Sequence, residues 1–353
     1  MGKIVFSLKQ LIFYDRIYNS ITKFLYLYLK KLIWHVIIKW SMSQAVRITA
    51  GMESKMKRLL FIYNPLSGKG MIKDKLSDIV DKFIKSGYRV ETYATQKSSD
   101  AKDKAFRWAE DFDMIVCSGG DGTLNEIVSG IMELDERPTI GYIPSGSTND
   151  FASSIMLPKD MLEAADIAMQ GTPLDVDIGG FNKKKFVYIA AFGAFTDVSY
   201  MTPQEMKNVL GHPAYIIEAV KGLSSLRTYH LKLDLGDKLI EGDYMYGMIT
   251  NSISVGGFKG ITGKDVILDD GKFEVTLIRA PKNPIELQVI IASLIGMDVK
   301  CESVESYKTS RVEITTDEKI PWVLDGEYGG APKKIVIRNY HQAVRIMTGR
   351  DIV

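Results

Sequence analysis

Three short stretches carry residue types suited to gripping a polyphosphate. They are Asn64-Pro65-Leu66-Ser67-Gly68-Lys69-Gly70, Gly119-Gly120-Asp121-Gly122-Thr123-Leu124-Asn125 and Pro144-Ser145-Gly146-Ser147-Thr148-Asn149-Asp150. Glycine lets backbone N–H groups approach an anion with no Cβ in the way. A helix N-terminus after such a loop adds about half a positive charge. The hydroxyls of Ser67, Thr123, Ser147 and Thr148 can donate to phosphate oxygens. One such loop is a weak signal, whereas three that converge make a strong one. Nucleotide phosphates usually come with magnesium, which takes carboxylate oxygens and waters. Asp121 and Asp150 stand inside two of the loops, and Asp177 could reach the same region from the next strand. A single aspartate is often only a cap or turn former, but Asp121 sits between Gly120 and Gly122, where that reading is harder to sustain.

The pattern around the loops supplies the elements that must hold them. Residues 57–63 form an apolar run that ends at the first loop. Ile72, Leu76, Ile79, Val80, Phe83 and Ile84 then recur at helical spacing until Gly87. Tyr88–Ala94 is a predicted strand, and Ser99 or Asp100 caps a helix to about Glu110. Asp113–Cys117 is a short strand before the second loop, with a helix from Leu124 to Met132 after it. Thr139–Ile143 is the strand before the third. Alternating strands and helices predict a parallel sheet covered on both faces. Ligands bind such sheets at the carboxyl ends of the strands, where all three loops fall.

After about Gly180 strands dominate: Phe186–Ala190, Leu231–Leu235, Tyr244–Thr250, Phe273–Ile278, Val312–Thr316 and Lys334–Arg338. Turn signals such as Asp270-Gly271 and Asp325-Gly326 separate many of them, and helices are expected only near Pro203–Leu226 and Pro284–Gly296. This predicts an antiparallel β domain of two packed sheets. The expected organisation is an extension over 1–55, a nucleotide-binding α/β domain over 56–178, a β-sandwich over 179–345 and a C-terminal segment, 346–353, that could return to the first domain.

Composition excludes several classes. The 353 residues are 46% hydrophobic and 25% charged, an ordinary globular balance. Two cysteines, Cys117 and Cys301, do not make a disulfide scaffold, and Cys117 is expected in the core. Four histidines show no zinc-ligand spacing. Residues 1–55 hold nine Lys/Arg and two Asp/Glu, a net +7, which leaves −5 on the rest of a chain whose total is +2. A net acidic body gives little support to nucleic acid as a partner.

The extension is a separate object. Residues 1–40 contain nine aromatics, yet no stretch free of Lys, Arg, Asp and Glu exceeds seven residues, too short for a spanning helix. Lys9, Arg16, Lys23 and Lys30 recur every seven residues and form a drifting basic stripe on a helix. Such a helix can lie in the membrane interface with its lysines toward anionic headgroups. Two other readings stand beside it: a helix packed on the protein itself, and a leader upstream of a true start at Met56.

The loops do not form a Walker A motif, because Tyr63 stands where glycine is needed and Gly70 follows Lys69. No Gly-x-Gly-x-x-Gly follows the first strand, and protein-kinase motifs are absent. Instead, Asn64-Pro-x-Ser-Gly68, Gly119-Gly-Asp-Gly-Thr-Leu-Asn-Glu126 and Pro144-x-Gly-x-x-Asn-Asp150 resemble the three motifs of the diacylglycerol kinase catalytic-domain family. Val176-Asp-Ile-Gly179, Leu268-Asp-Asp-Gly271 and Asp325-Gly-Glu-Tyr-Gly-Gly330 match as well, so the resemblance runs from about Met56 to Val353. Gly-Gly-Asp-Gly-Thr is shared with NAD kinases, but the Asn-Glu after it and the Asn-Asp of the third loop favour a lipid kinase.

The resemblance implies an NAD-kinase-like three-layer α/β domain followed by an antiparallel β-sandwich, with the site between them. It implies ATP and Mg2+ as cofactors. ATP contacts would fall on Asn64, Pro65, Leu66, Ser67 and Gly68, on Thr95, on Gly119, Gly120, Asp121, Gly122, Thr123, Leu124 and Asn125, and on Ser147. Asp121, Asp150 and Asp177 would hold the catalytic magnesium through waters. A structural magnesium would use the Asp270 carboxylate and the carbonyls of Ile267 and Lys272. Glu327 would take the proton from a lipid hydroxyl, a role the residues alone do not suggest, since a Glu after Asp325-Gly326 reads as a solvated turn neighbour. The expected activity is ATP-dependent phosphorylation of a lipid, diacylglycerol giving phosphatidate, by a cytoplasmic protein peripheral at the inner membrane face. An NAD kinase and a non-catalytic sensor on the same fold are the alternatives. A homodimer is neither required nor excluded.

Overall fold

The computed structural model describes Lys30 and residues 56–193, 227–256, 258–259, 262, 266–294 and 301–349. The chain divides into two units, Met1–Met56 and Lys57–Val353, and the architecture below is that of the second. The extension, apart from Lys30, and the helical stretch expected near Pro203–Leu226 lie outside the described residues.

In chain order the α/β part contains β1 (Lys57–Tyr63), helix α1 (Ile72–Lys85), β2 (Tyr88–Ala94), α2 (Asp100–Trp108), β3 (Met114–Gly119), α3 (Asp121–Ile131), β4 (Thr139–Pro144), α4 (Asp150–Ser154), α5 (Met161–Gln170) and β5 (Thr172–Phe181). The first four strands are parallel in the order β2-β1-β3-β4. Strand alternation sends their side chains to opposite faces. Leu59 and Phe61 pack with Ile79 and Phe83 of α1 and Ala164 and Ala168 of α5. Leu60 and Ile62 pack on the other side with Ala101 and Ala105 of α2 and Leu124 and Val128 of α3. The result is the expected three layers. The chain leaves β1 toward one edge and returns to β3 on its other side, so the loops after β1 and β3 flank the point where the strand order reverses.

The β part continues with β6 (Lys184–Phe186), β7 (Ile189–Gly193), β8 (Tyr229–Asp234), β9 (Leu239–Tyr244), β10 (Tyr246–Thr250), β11 (Ser254–Val255), β12 (Phe258–Lys259), β13 (Phe273–Ile278), helix α6 (Pro284–Leu294), β14 (Val304–Thr309), β15 (Arg311–Thr315), β16 (Trp322–Leu324), β17 (Glu327–Gly330) and β18 (Lys334–Thr348). One sheet, β14-β13-β10-β7-β16-β17, is antiparallel throughout. It faces β8, β9, β15 and part of β18 across a core of Phe192, Tyr244, Phe273, Trp322 and Ile337. The second sheet is not a separate object. β18 runs on from β15 into the parallel sheet, where Ile346 pairs with Ile140 of β4 and β5 lies antiparallel along it.

Two expected strands are broken. Phe186–Ala190 divides at Val187 and Tyr188, whose backbone amides turn to a carboxylate, described below. Tyr244–Thr250 divides at Met245, whose amide bonds Ile278 instead. No helix among the described residues is long and apolar enough to cross a membrane.

Candidate functional site

The three loops come together at the carboxyl ends of β1, β3 and β4. The Asn64 amide donates to the Ser118 carbonyl at 2.8 Å, and the Asn64 side chain accepts from the Leu66 amide at 2.9 Å, closing the first loop. Gly68, at φ +55, lies so close to the third loop that a Cβ there would stand 1.8 Å from the Ser145 carbonyl oxygen. Gly146 is packed against Gly120, where a Cβ would meet the Gly120 Cα at 2.6 Å. The Ser145 amide bonds the Gly119 carbonyl at 2.8 Å. Asn149 closes the third loop on itself, accepting from the Gly146 amide and donating to the Gly146 carbonyl. The glycines therefore serve contact between the loops. Thr95 follows β2, its amide bonded to the Tyr63 carbonyl at 2.9 Å, and Ser147 is exposed at the tip of the third loop.

Helix α3 starts at Asp121 and not, as expected, at Leu124. The Gly-Asp-Gly-Thr run is thus the first helical turn, where N–H groups lack intrahelical acceptors. Asp121 accepts from the amides of Asp150 at 3.1 Å and Phe151 at 3.3 Å. Burial, and then the Asp150 charge, push its carboxyl up to about 7. Asp150 in turn accepts from the Ser254 hydroxyl and the Gly256 amide, both at 2.8 Å, which ties the pair to the β part.

Asp177 stands apart from that pair. Its fully buried carboxylate accepts from the amides of Gly271 at 2.6 Å and Gln342 at 2.7 Å and from Asn339, and it meets His341 Nδ1 at 3.0 Å. Of these partners Gly271 belongs to the turn that carries Asp270, and Asn339, His341 and Gln342 to β18. Among the described residues no three His, Cys, Asp or Glu side chains form a group able to share an ion. Asp270 accepts from the Lys272 amide at 2.9 Å and pairs with Lys308 at 2.9 Å. Ile267 is exposed beside it. A divalent ion held there would displace the Lys308 ammonium from Asp270. The Asp121–Asp150 pair is different: two adjacent carboxylates, one pushed toward protonation by the other, suit a hard cation.

Glu327 arrives from the β part. The hairpin β16–β17 turns through Asp325 (φ +47) and Gly326 (φ +88), the two left-handed residues that a two-residue turn wants. This brings Glu327 beside the start of α3, where a Cβ on Gly122 would lie 3.6 Å from Glu327 Oε1. Glu327 is exposed. The second loop and the candidate base therefore share one locus.

Two anchors of that hairpin were not legible in the sequence. Asp325 is buried, and its carboxylate accepts from the amides of Val187 at 2.6 Å, Tyr188 at 3.0 Å and Ile189 at 3.0 Å. Asn125 of α3 donates to the same carboxylate and to the Lys185 carbonyl. Burial pushes the Asp325 carboxyl up, and these donors draw it back. The Asn125 amide, expected on ATP, thus joins the helix to the hairpin. Its neighbour Glu126 accepts from the Ser99 and Ala101 amides and caps α2. Of the two expected caps, Ser99 and Asp100, Ser99 stands at the cap position but its side chain makes no cap bond. In sequence, Asp325-Gly326 announces only a turn, because its partners lie 136 to 200 residues away.

Comparison with known proteins settles the family. The diacylglycerol kinase catalytic domain matches residues 58–181, and the YegS C-terminal NAD kinase beta sandwich-like domain matches residues 192–348. A diacylglycerol kinase of Bacillus subtilis is 38% identical over 277 residues, covering 78% of this chain and 91% of the relative. This chain belongs to the diacylglycerol kinase catalytic-domain family. A second relative, the diacylglycerol kinase of Staphylococcus carnosus, is 36% identical over 299 residues, 84% of this chain and 96% of its own. The crystal structure of a putative diacylglycerol kinase from Bacillus anthracis superposes with a TM-score of 0.71 at 23% identity, covering 85% of this chain and all of that one, and supports the fold.

Proposed function

We propose that this kinase transfers the γ-phosphoryl group of ATP to the free hydroxyl of diacylglycerol, giving phosphatidate and ADP. The observation that carries the reading is the position of Glu327 at the start of α3, beside loops built from main-chain donors. Backbone amides and hydroxyls of Asn64–Gly68, Gly119–Asn125 and Ser147 bind the phosphates, and Thr95 borders the nucleotide from the end of β2. Asp121 and Asp150 would hold Mg2+, which when bound neutralises phosphate charge. Asp177 supports the reaction from behind, by ordering the Gly271 turn against β18.

A primary or secondary alcohol is a poor nucleophile, so a carboxylate within reach contributes by taking its proton. The lipid hydroxyl oxygen bonds the γ-phosphorus, the bond from that phosphorus to the bridging oxygen breaks, and the proton goes to Glu327. The β-sandwich presents the lipid, and residues 1–40 rest on the inner face of the membrane, their basic stripe toward anionic headgroups. Incubation with γ-labelled ATP and a panel of lipids in mixed micelles tests this. Label in phosphatidate is the expected product, and label in phosphorylated NAD with none in any lipid would overturn the reading.

A further inference from the structure

The run Gly119–Glu126 ends on a carboxylate that the proposed reaction leaves unused. Glu126 lies on α3, one turn beyond Gly122, and is half-buried against α2. Its Oε1 accepts from the Ser99 amide at 2.7 Å and its Oε2 from the Ala101 amide at 3.1 Å. Those amides stand at the start of α2, where N–H groups have no intrahelical acceptor. A carboxylate there also meets the positive end of the helix. Further along, the two helices are pressed together. A Cβ on Gly130 would stand 2.4 Å from the Lys102 carbonyl oxygen, and Lys102 pairs with Glu133 at 2.7 Å.

The loop between β2 and α2 is held at three points. The Thr95 amide bonds the Tyr63 carbonyl of β1 at 2.9 Å. The Gln96 amide donates at 2.8 Å to Asp100, a carboxylate that also accepts from the Tyr93 hydroxyl of β2 at 3.0 Å. The third point is the Ser99 amide on Glu126. Ser99 takes a φ of +64, a left-handed conformation that a non-glycine residue keeps only where its surroundings hold it. Its own side chain makes no cap bond, so the hold comes from its neighbours. At α3 the cap position is Gly120, which has no side chain to fill it. Helix α3 thus keeps its own N-terminus uncapped and, through Glu126, caps that of α2.

We propose that Glu126 is a positioning residue for the nucleotide: by capping α2 from α3 it sets the Thr95 loop in place relative to the phosphate-binding turn, and so governs how the nucleoside end of ATP is held. The inference rests on the reading that these loops hold ATP, and it adds the residue that spaces them. Both Glu126 oxygens are engaged by amides, so its part lies outside the transfer step. Its loss is felt in nucleotide affinity and not in kcat.

The test uses the full chain with Glu126→Ala and Glu126→Gln. Calorimetry reads the dissociation constants of ATP and of inorganic tripolyphosphate, both with Mg2+. Tripolyphosphate carries the phosphates without the nucleoside. Glu126→Ala leaves two amides without their charged acceptor and should weaken ATP binding about tenfold, while tripolyphosphate stays within about twofold of wild type. Glu126→Gln keeps one accepting oxygen and should weaken ATP only about threefold, again with tripolyphosphate unchanged. In both, kcat at saturating ATP should stay within about threefold of wild type. Unchanged ATP affinity would overturn the proposal. So would an equal loss for ATP and tripolyphosphate, which would place Glu126 in support of the phosphates or of the whole fold. If circular dichroism shows the alanine variant unfolded, the glutamine variant decides by the same pair of constants. A wild-type chain that binds ATP no tighter than tripolyphosphate would remove the ATP reading itself, and this inference with it. Tight ATP binding that no Glu126 variant changes would remove this inference alone.

Discussion

Asp121 shows how a single side chain is set by its neighbours. Two backbone amides hold its oxygens, yet burial and the Asp150 carboxylate outweigh them and place its titration near 7. A cation needs the ionised form, so below pH 7 it must displace a proton. Affinity therefore rises with pH through 7: binding of Mn2+ to the nucleotide-free protein, read by paramagnetic resonance, should be about tenfold tighter at pH 8 than at pH 6. A flat profile would contradict the assignment of this pair. Asp121 was conspicuous in sequence because glycines flank it. Asp325 was not, because its type and neighbours spell a turn and its four partners come from elsewhere in the chain. Lys308 was silent for the same reason, since only the β13–β14 register places it opposite Glu274 and within reach of Asp270.

At the scale of elements, the loops act as one cradle because glycines let them touch. Gly68→Ala would force a Cβ into the Ser145 carbonyl at a left-handed φ. It should cost about 3 kcal/mol in urea denaturation and weaken ATP binding at least tenfold, and unchanged nucleotide affinity would mean that the first and third loops act separately. The β16–β17 hairpin has its own anchor. Asp325→Ala would leave the amides of Val187, Tyr188 and Ile189 buried without an acceptor, at a cost of about 3 kcal/mol. Its kinetic signature should be a fall in kcat with KM for ATP nearly unchanged, partly recovered in Asp325→Asn, whereas parallel loss of both constants would mark a general fold defect. Local sequence pattern was enough to place β1, β13 and α1, whose apolar side chains are buried, and also the half-buried β2. It failed where a tertiary partner takes over a backbone donor, as at Val187 and Met245, and where a loop motif is itself a helical turn, as at Asp121.

For the molecule as a whole, the α/β and β parts share a sheet, and β18 is the strand that joins them. Local patterning announced two kinds of architecture in succession but not this continuity, because a pairing such as Ile346 with Ile140 leaves no mark on either neighbourhood. The α/β and β parts are tied together through β18, through Asn125 and Asp325, and through Asp150 with Ser254, which in the proposed function relates the nucleotide side to the acceptor side. In the proposed function the two sides divide their labour, with main-chain donors from one and a proton acceptor from the other. The most direct measurement of that division is the ATP dissociation constant and the kcat of the same Glu327→Gln protein. ATP affinity should stay within about threefold of wild type while kcat falls by about 10² or more. Full activity in that variant, or loss of ATP binding together with turnover, would contradict it.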